Sequence, residues 1–145
     1  MLQVKPLIPL KIVEWGWSFD GSAAATPGAV ELIETDVAAT VTAYVNADIT
    51  KLDSDAKYFE SLSAGNTTTY IFSIGTAASG YTASAEGTIT AVRNLTGPQL
   101  GAPTNEFIQQ FPLSQEPTIY PGSFTRIRVT FAAAVNMLCY LKLAA

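Results

Sequence analysis

The stretch Ile12-Val13-Glu14-Trp15-Gly16-Trp17-Ser18-Phe19-Asp20-Gly21 decides the fold class. Read with a period of two, it puts Val13, Trp15, Trp17 and Phe19 on one face and Glu14, Gly16, Ser18 and Asp20 on the other. Successive side chains of a strand point to opposite faces, so strict alternation signals a half-buried β-strand. Both tryptophans of the chain lie here. A buried aromatic removes on the order of 150–250 Å² from water, which places this strand at the centre of the core. Asp20-Gly21 closes it with turn chemistry.

Outward from that strand the chain continues in the same style. Ala29–Thr35 sets Val30 and Leu32 against Glu31 and Ile33. Thr40–Val45 sets Val41, Ala43 and Val45 against Thr42 and Tyr44. Thr67–Ile74 is rich in β-branched and aromatic residues. Tyr81–Val92 alternates for a long stretch, and its small residues Ala83, Ala85 and Gly87 suit a bulky layer such as the tryptophans opposite them. Glu106–Leu113 reads as a further strand, and Phe124–Phe131 places Arg126, Arg128 and Thr130 outward. The last segment puts Val135, Met137, Cys139, Leu141 and Leu143 on one face, although its Ala, Leu and Met content also suits a helix. Ser22–Gly28, Asn46–Lys57, Gly75–Gly80, Arg93–Asn105 and Glu116–Gly122 are turn-rich connections. Many short strands separated by Gly and Pro turns predict an all-β, antiparallel β-sandwich of jelly-roll type.

The N-terminal segment reads differently. Pro6 and Pro9 fix φ and remove backbone donors, so residues 1–11 are expected as an extended N-terminal arm, and residues 12–145 as a single β-sandwich domain. The apolar residues of the arm are Leu2, Val4, Leu7, Ile8 and Leu10. Such an arm lies along its own domain or reaches onto a neighbour. It does not read as a secretory signal, because the prolines interrupt any continuous apolar region.

At 145 residues the chain is long enough to bury a core without disulfides. Its formal charge is −4, and its eight Lys and Arg are scattered from Lys5 to Lys142, so there is no basic stripe for a phosphate backbone and no nucleic acid partner is expected. No stretch reaches the roughly 20 apolar residues of a membrane span. Charged residues make up only 14% of the chain, against roughly 25% in an ordinary soluble domain. Either Thr, Ser and Asn supply the surface, or part of the surface is covered by sister subunits or a larger partner.

Catalytic chemistry finds little purchase. The chain has no histidine, which removes Ser-His-Asp and Cys-His constellations, His-based zinc sites and the commonest general base near neutral pH. The one cysteine, Cys139, sits on an apolar face and reads as a buried structural thiol. No nucleophile elbow and no phosphate-binding glycine loop occurs. Glu14, Asp20, Glu86 and Glu106 qualify as glycosidase carboxylates by residue type alone. Asp48, Asp53 and Asp55 share one loop that offers oxygens to a calcium ion, without the spacing of an EF-hand. No cofactor, metal or catalytic residue is assigned. Tyr44, Tyr58, Phe59, Tyr70, Tyr81 and Tyr120 are ring candidates for a sugar-binding face, and Asn66-Thr67-Thr68 and Asn94-Leu95-Thr96 match the glycosylation sequon.

Five stretches together carry a resemblance: Glu14–Gly21, Val37–Tyr44, Gly80–Thr90, Arg126–Thr130 and Ala134–Asn136. They resemble small structural proteins of tailed bacteriophages, specifically the cement (decoration) proteins that coat the capsid. The resemblance implies a non-enzymatic β-sandwich that binds the major capsid protein on the outer surface of the virion. It implies a homotrimer at three-fold and quasi-three-fold points that locks neighbouring capsomers. In that picture the arm residues Leu2, Val4, Leu7, Ile8 and Leu10 form the interface, by adding an edge strand or filling a groove. The competing reading is a carbohydrate-binding, lectin-like β-sandwich of a phage tail or receptor-binding protein, which predicts a planar aromatic patch and a calcium-dependent loop over Asp48–Asp55.

Overall fold

The alternation around the tryptophans is realised as one ten-residue strand. The computed structural model describes residues 1–20, 26–50, 52, 71–102 and 105–145. In chain order its strands are β1 (Leu2–Val4), β2 (Leu10–Phe19), β3 (Gly28–Thr35), β4 (Thr40–Ala43), β5 (Gly80–Ala85) and β6 (Val92–Asn94). They continue with β7 (Gln99–Gly101), β8 (Phe107–Gln110), β9 (Thr118–Ile119), β10 (Phe124–Thr130) and β11 (Met137–Ala144). One 3₁₀ turn spans Asn46–Asp48. All pairings are antiparallel, and two sheets pack face to face as a β-sandwich. The larger sheet runs β4-β5-β1-β10-β3-β6 with β7 also on β3; the smaller runs β11-β2-β8 with β9 also on β2. Among the described residues the strands divide seven against four, and the expected jelly roll, eight strands divided between two sheets, is not seen.

The N-terminal segment is no free arm. β1 lies inside the larger sheet, with Leu2 opposite Ile127 on one side and Tyr81 on the other. Leu2 and Val4 are buried, and Leu10 belongs to β2 and is buried there. Only Leu7 is openly exposed; Ile8 is half-buried against the core. The prolines do keep the intervening residues out of any ladder except one bridge, Pro6 to Phe72, but three residues before Pro6 suffice for an interior strand because their donors are intact.

The core lies between the sheets: Leu10, Ile12, Trp15 and Trp17 from β2 face Leu2, Val30, Leu32 and Ile127 from the larger sheet. A phase change makes this possible. Lys142 pairs with Glu14, but the next residue, Leu143, pairs with Ile12, so Val13 is an extra residue on β2. One inserted residue flips which side chains face inward. Leu10 and Ile12 therefore join Trp15 and Trp17 in the core, whereas Val13, grouped with the tryptophans by simple alternation, is only half-buried.

The opposite face of the larger sheet is also covered. Ile33, Gln3 and Arg126 project there, and all three are fully buried. Residues 86–91 cross above them and are held by Asp36, whose carboxylate accepts hydrogen bonds from the Thr90 hydroxyl and amide and from the Ala91 amide. The expected long strand over Tyr81–Val92 is thus β5, a crossing segment and β6. Within β5, Ser84 and Thr82 are both skipped in the pairing with β4, and Thr82 has a positive φ of 47°. Ala85 is exposed and does not face the tryptophans, which pack on Phe107 instead.

Candidate interaction surface

The four candidate carboxylates do not converge. Glu14 sits on the outer face of the smaller sheet, bound by Lys142 Nζ at 2.6 Å and by the Tyr140 hydroxyl at 2.8 Å. These two bonds, Lys142 first, hold its carboxyl below the usual range. Glu86 lies on the far side of the larger sheet, pairing with Arg126 Nη1 at 3.0 Å. Both sheets separate the two. Asp20 lies at the end of β2, and Glu106 just before β8. The Cys139 thiol is half-buried against the core, and desolvation pushes it up, the opposite of the shift that activates a nucleophile.

Among the described residues no group of His, Cys, Asp and Glu is placed to hold a metal ion. Asp48 is used locally, accepting the Val45 amide at 2.9 Å; Asp53 and Asp55 lie outside the described residues. Of the ring candidates, Tyr44 and Tyr81 meet at 5.6 Å with planes 42° apart, which is not a flat platform, and burial raises the Tyr44 hydroxyl. Tyr120 is exposed. Tyr58, Phe59 and Tyr70, the Asn66 sequon and the first half of the expected Thr67–Ile74 strand fall outside the described residues; in its second half Phe72 forms an isolated bridge to Pro6. No helix among the described residues is long and apolar enough to cross a membrane.

Much of the charge among the described residues is paired within the chain. Arg93 binds Glu34, Arg128 binds Glu31, and Lys11 reaches Glu116 at 3.8 Å. Arg126 is held by Gln3 Oε1, the Val37 carbonyl and Glu86. Its guanidinium pKa is lowered by desolvation. The "outward" position of Arg126 in the strand alternation is therefore a second, polar interior.

Exposed apolar residues gather on the outer face of the smaller sheet, beside its open edge. In antiparallel register, Ile108 of β8 lies opposite Gly16, Gly16 lies opposite Tyr140 of β11, and Leu138 lies opposite Ser18. Ile108 is 61% and Leu138 68% exposed. Between them the Tyr140 ring lies across Gly16: a Cβ at position 16 would come within 2.5 Å of the Phe107 carbonyl and 2.9 Å of the Tyr140 ring. Glycine here is what lets the ring lie flat. Desolvation, with the bond to Glu14, pushes the Tyr140 hydroxyl up to about 12. The face is thus apolar at Ile108, Tyr140 and Leu138, and the Glu14–Lys142 pair beside them is neutralised.

Next to this face, a cleft of about 910 Å³ opens between β11 and the larger sheet, lined by Val129, Phe131, Ala132–Leu138, Met1, Thr82, Ala83 and Asp20. It exists because the smaller sheet ends at β11 while the larger continues through β1, β5 and β4. Sequence reasoning missed Ile108, Leu138 and Tyr140. The signal was present: in the last segment, residues between those assigned inward include Leu138 and Tyr140, apolar or aromatic positions on a face expected to be polar. Comparison of the chain with protein-family models, curated proteins and solved structures gives no match.

Proposed function

We propose that this chain is a structural, non-catalytic adhesion protein: a capsid cement protein that binds the major capsid protein on the outer surface of a phage head, as a homotrimer, and ties neighbouring capsomers together. The observation that carries the reading is the outer face of the smaller sheet, where Ile108, Tyr140 and Leu138 present apolar surface and the adjacent Glu14–Lys142 pair is self-neutralised. A rigid, net-neutral, sheet-borne surface suits static docking, in which several modest contacts on one body sum through effective concentration. The resemblance of Glu14–Gly21 and the accompanying stretches supplies the partner and the location.

The test is co-sedimentation with heads assembled from the virus's own major capsid protein. Ile108→Asp is expected to abolish attachment with the fold intact, because position 108 is already open to solvent. Attachment unchanged by that substitution, or no attachment of the unaltered chain, overturns the proposal. Removing residues 1–10 is not a usable test, since it deletes an interior strand and part of β2.

A further inference from the structure

We infer that the free edge of β11 pairs with β11 of a second copy of this chain, in antiparallel register about a two-fold axis, joining two smaller sheets into one. The inference stands apart from capsid attachment.

Which backbone groups face the edge follows from the ladder. The Asp20 amide donates to the Asn136 carbonyl, so these two residues form a hydrogen-bonded pair. Antiparallel ladders alternate, so Leu138, Tyr140 and Lys142 turn their amides and carbonyls to β2. Met137, Cys139 and Leu141 turn theirs away from it. The Ile12 amide donates to Pro117, on the other side of β2, which turns Leu143 outward as well. Among the described residues no strand lies on that edge.

The other sheet edges are guarded in the ways natural edges are. β4 has four residues against a twice-bulged partner. β6, β7 and β9 have two or three residues, and Pro98, Pro112 and Pro121 flank β7, β8 and β9. β11 is eight residues long and free of proline, and its one irregularity lies on the β2 side. Its only charge, Lys142, is held by Glu14. This is the profile of an edge that is used.

A second copy fits because the strand is self-complementary. With the axis at Tyr140, Met137 faces the partner's Leu143 and Cys139 faces the partner's Leu141, so every inward pair is apolar. On the outer face Tyr140 meets the partner's Tyr140, and each Lys142 lies opposite the partner's Leu138, which keeps the two ammonium groups apart and lays each methylene stem on a leucine. An isologous contact of this kind closes at two copies.

The test is the solution mass of the full chain by light scattering, read for the unaltered protein and for two variants at the exposed position 138. A mass of twice 15.4 kDa is expected, or of six times 15.4 kDa where two of the proposed trimers join through β11. Leu138→Lys sets a second ammonium opposite the partner's Lys142, and, because the axis counts the pair twice, should weaken self-association about tenfold. Leu138→Glu sets a carboxylate there and should leave it as tight or tighter. A Cys139→Ala/Tyr140→Cys variant should form a disulfide-linked dimer under oxidation, since directly opposed Cα atoms of a non-hydrogen-bonded pair sit about 4.5 Å apart. A monomer, a bare trimer, equal behaviour of the Lys and Glu variants, or failure of the disulfide to form overturns the inference, whatever the capsid experiment shows.

Discussion

Two interiors flank the larger sheet, and they are built on different physics. Between the sheets, Trp15, Trp17, Ile12 and Leu32 fill volume: Trp17 stacks on Phe107 at 4.3 Å and Trp15 tilts against it at 5.3 Å. On the other side, Gln3, Arg126 and the backbone of Val37 and Ala39 satisfy one another, with Gln3 Oε1 accepting from Arg126 and from the Ala39 amide. The first is tolerant of detail, because dispersion and burial ask only for shape. The second is exacting, because each buried polar atom left without a partner costs its desolvation in full.

That contrast can be broken most forcefully at Trp15. Its side chain is fully buried, and Trp15→Ala should cost about 3–5 kcal/mol in chemical denaturation. In the polar interior, Arg126→Met takes two donors from Gln3 Oε1 and one from the Val37 carbonyl, leaving them the Ala39 amide and the Thr35 hydroxyl, and should cost about 1–3 kcal/mol. Gln3→Leu takes the acceptor from the Ala39 amide and the donor from the Ala78 carbonyl, and because Arg126 and Gln3 share bonds the double variant should cost less than the two single ones added together; an additive double variant would argue against the network. A finer cut separates the tryptophans. The Trp15 indole donates to Gln109 Oε1 at 3.0 Å, whereas the buried Trp17 indole N–H has no partner among the described residues. Trp15→Phe should therefore cost about 1 kcal/mol more than Trp17→Phe.

Two smaller effects sharpen the picture. The Asp36 carboxyl is lowered by its bonds to the Thr90 hydroxyl and the Ala91 amide. A group with a depressed folded pKa stabilises above its unfolded value, about 3.9 for Asp, and loses that stabilisation as pH falls through the folded one. Melting temperatures followed into acid should thus fall less steeply for Asp36→Ala than for the unaltered chain. Ala85→Leu should lie within about 0.5 kcal/mol of neutral, because Ala85 faces solvent; a large loss would mean that position is packed.

How much of this was legible in the sequence depended on where each constraint resides. The alternation of Trp15, Trp17 and Phe19 is local, and so was readable, as were the inward positions Ile127 and Val129 of β10 and Cys139 and Leu141 of β11. The phase flip at Val13 was not, because a bulge is imposed by the partner strand and leaves no mark on β2 alone. Arg126 alternates like any outward residue; its burial is created by residues 86–91 folding over it from 40 positions away. β1, β6, β7 and β9 span two or three residues, too few for periodicity to register. The interaction surface was half-legible: parity placed Leu138 and Tyr140 on the outer face, but the role of Gly16 in seating the Tyr140 ring needs the neighbouring strand.

The position of β1 has a consequence for how the molecule is made. Leu2 pairs with Ile127, which is 125 residues later in the chain, so the centre of the larger sheet joins two segments far apart in sequence. At a synthesis rate of roughly 5–20 residues per second, β1 waits on the order of 6–25 s for β10 to be made, with its backbone donors and acceptors unclaimed. Closure of the larger sheet therefore waits on the synthesis of β10, and its high contact order places folding in the slow range of roughly milliseconds to seconds. The same join, once made, ties β1 into the middle of the sheet between β10 and β5, so that β1 can detach only when the sheet itself comes apart.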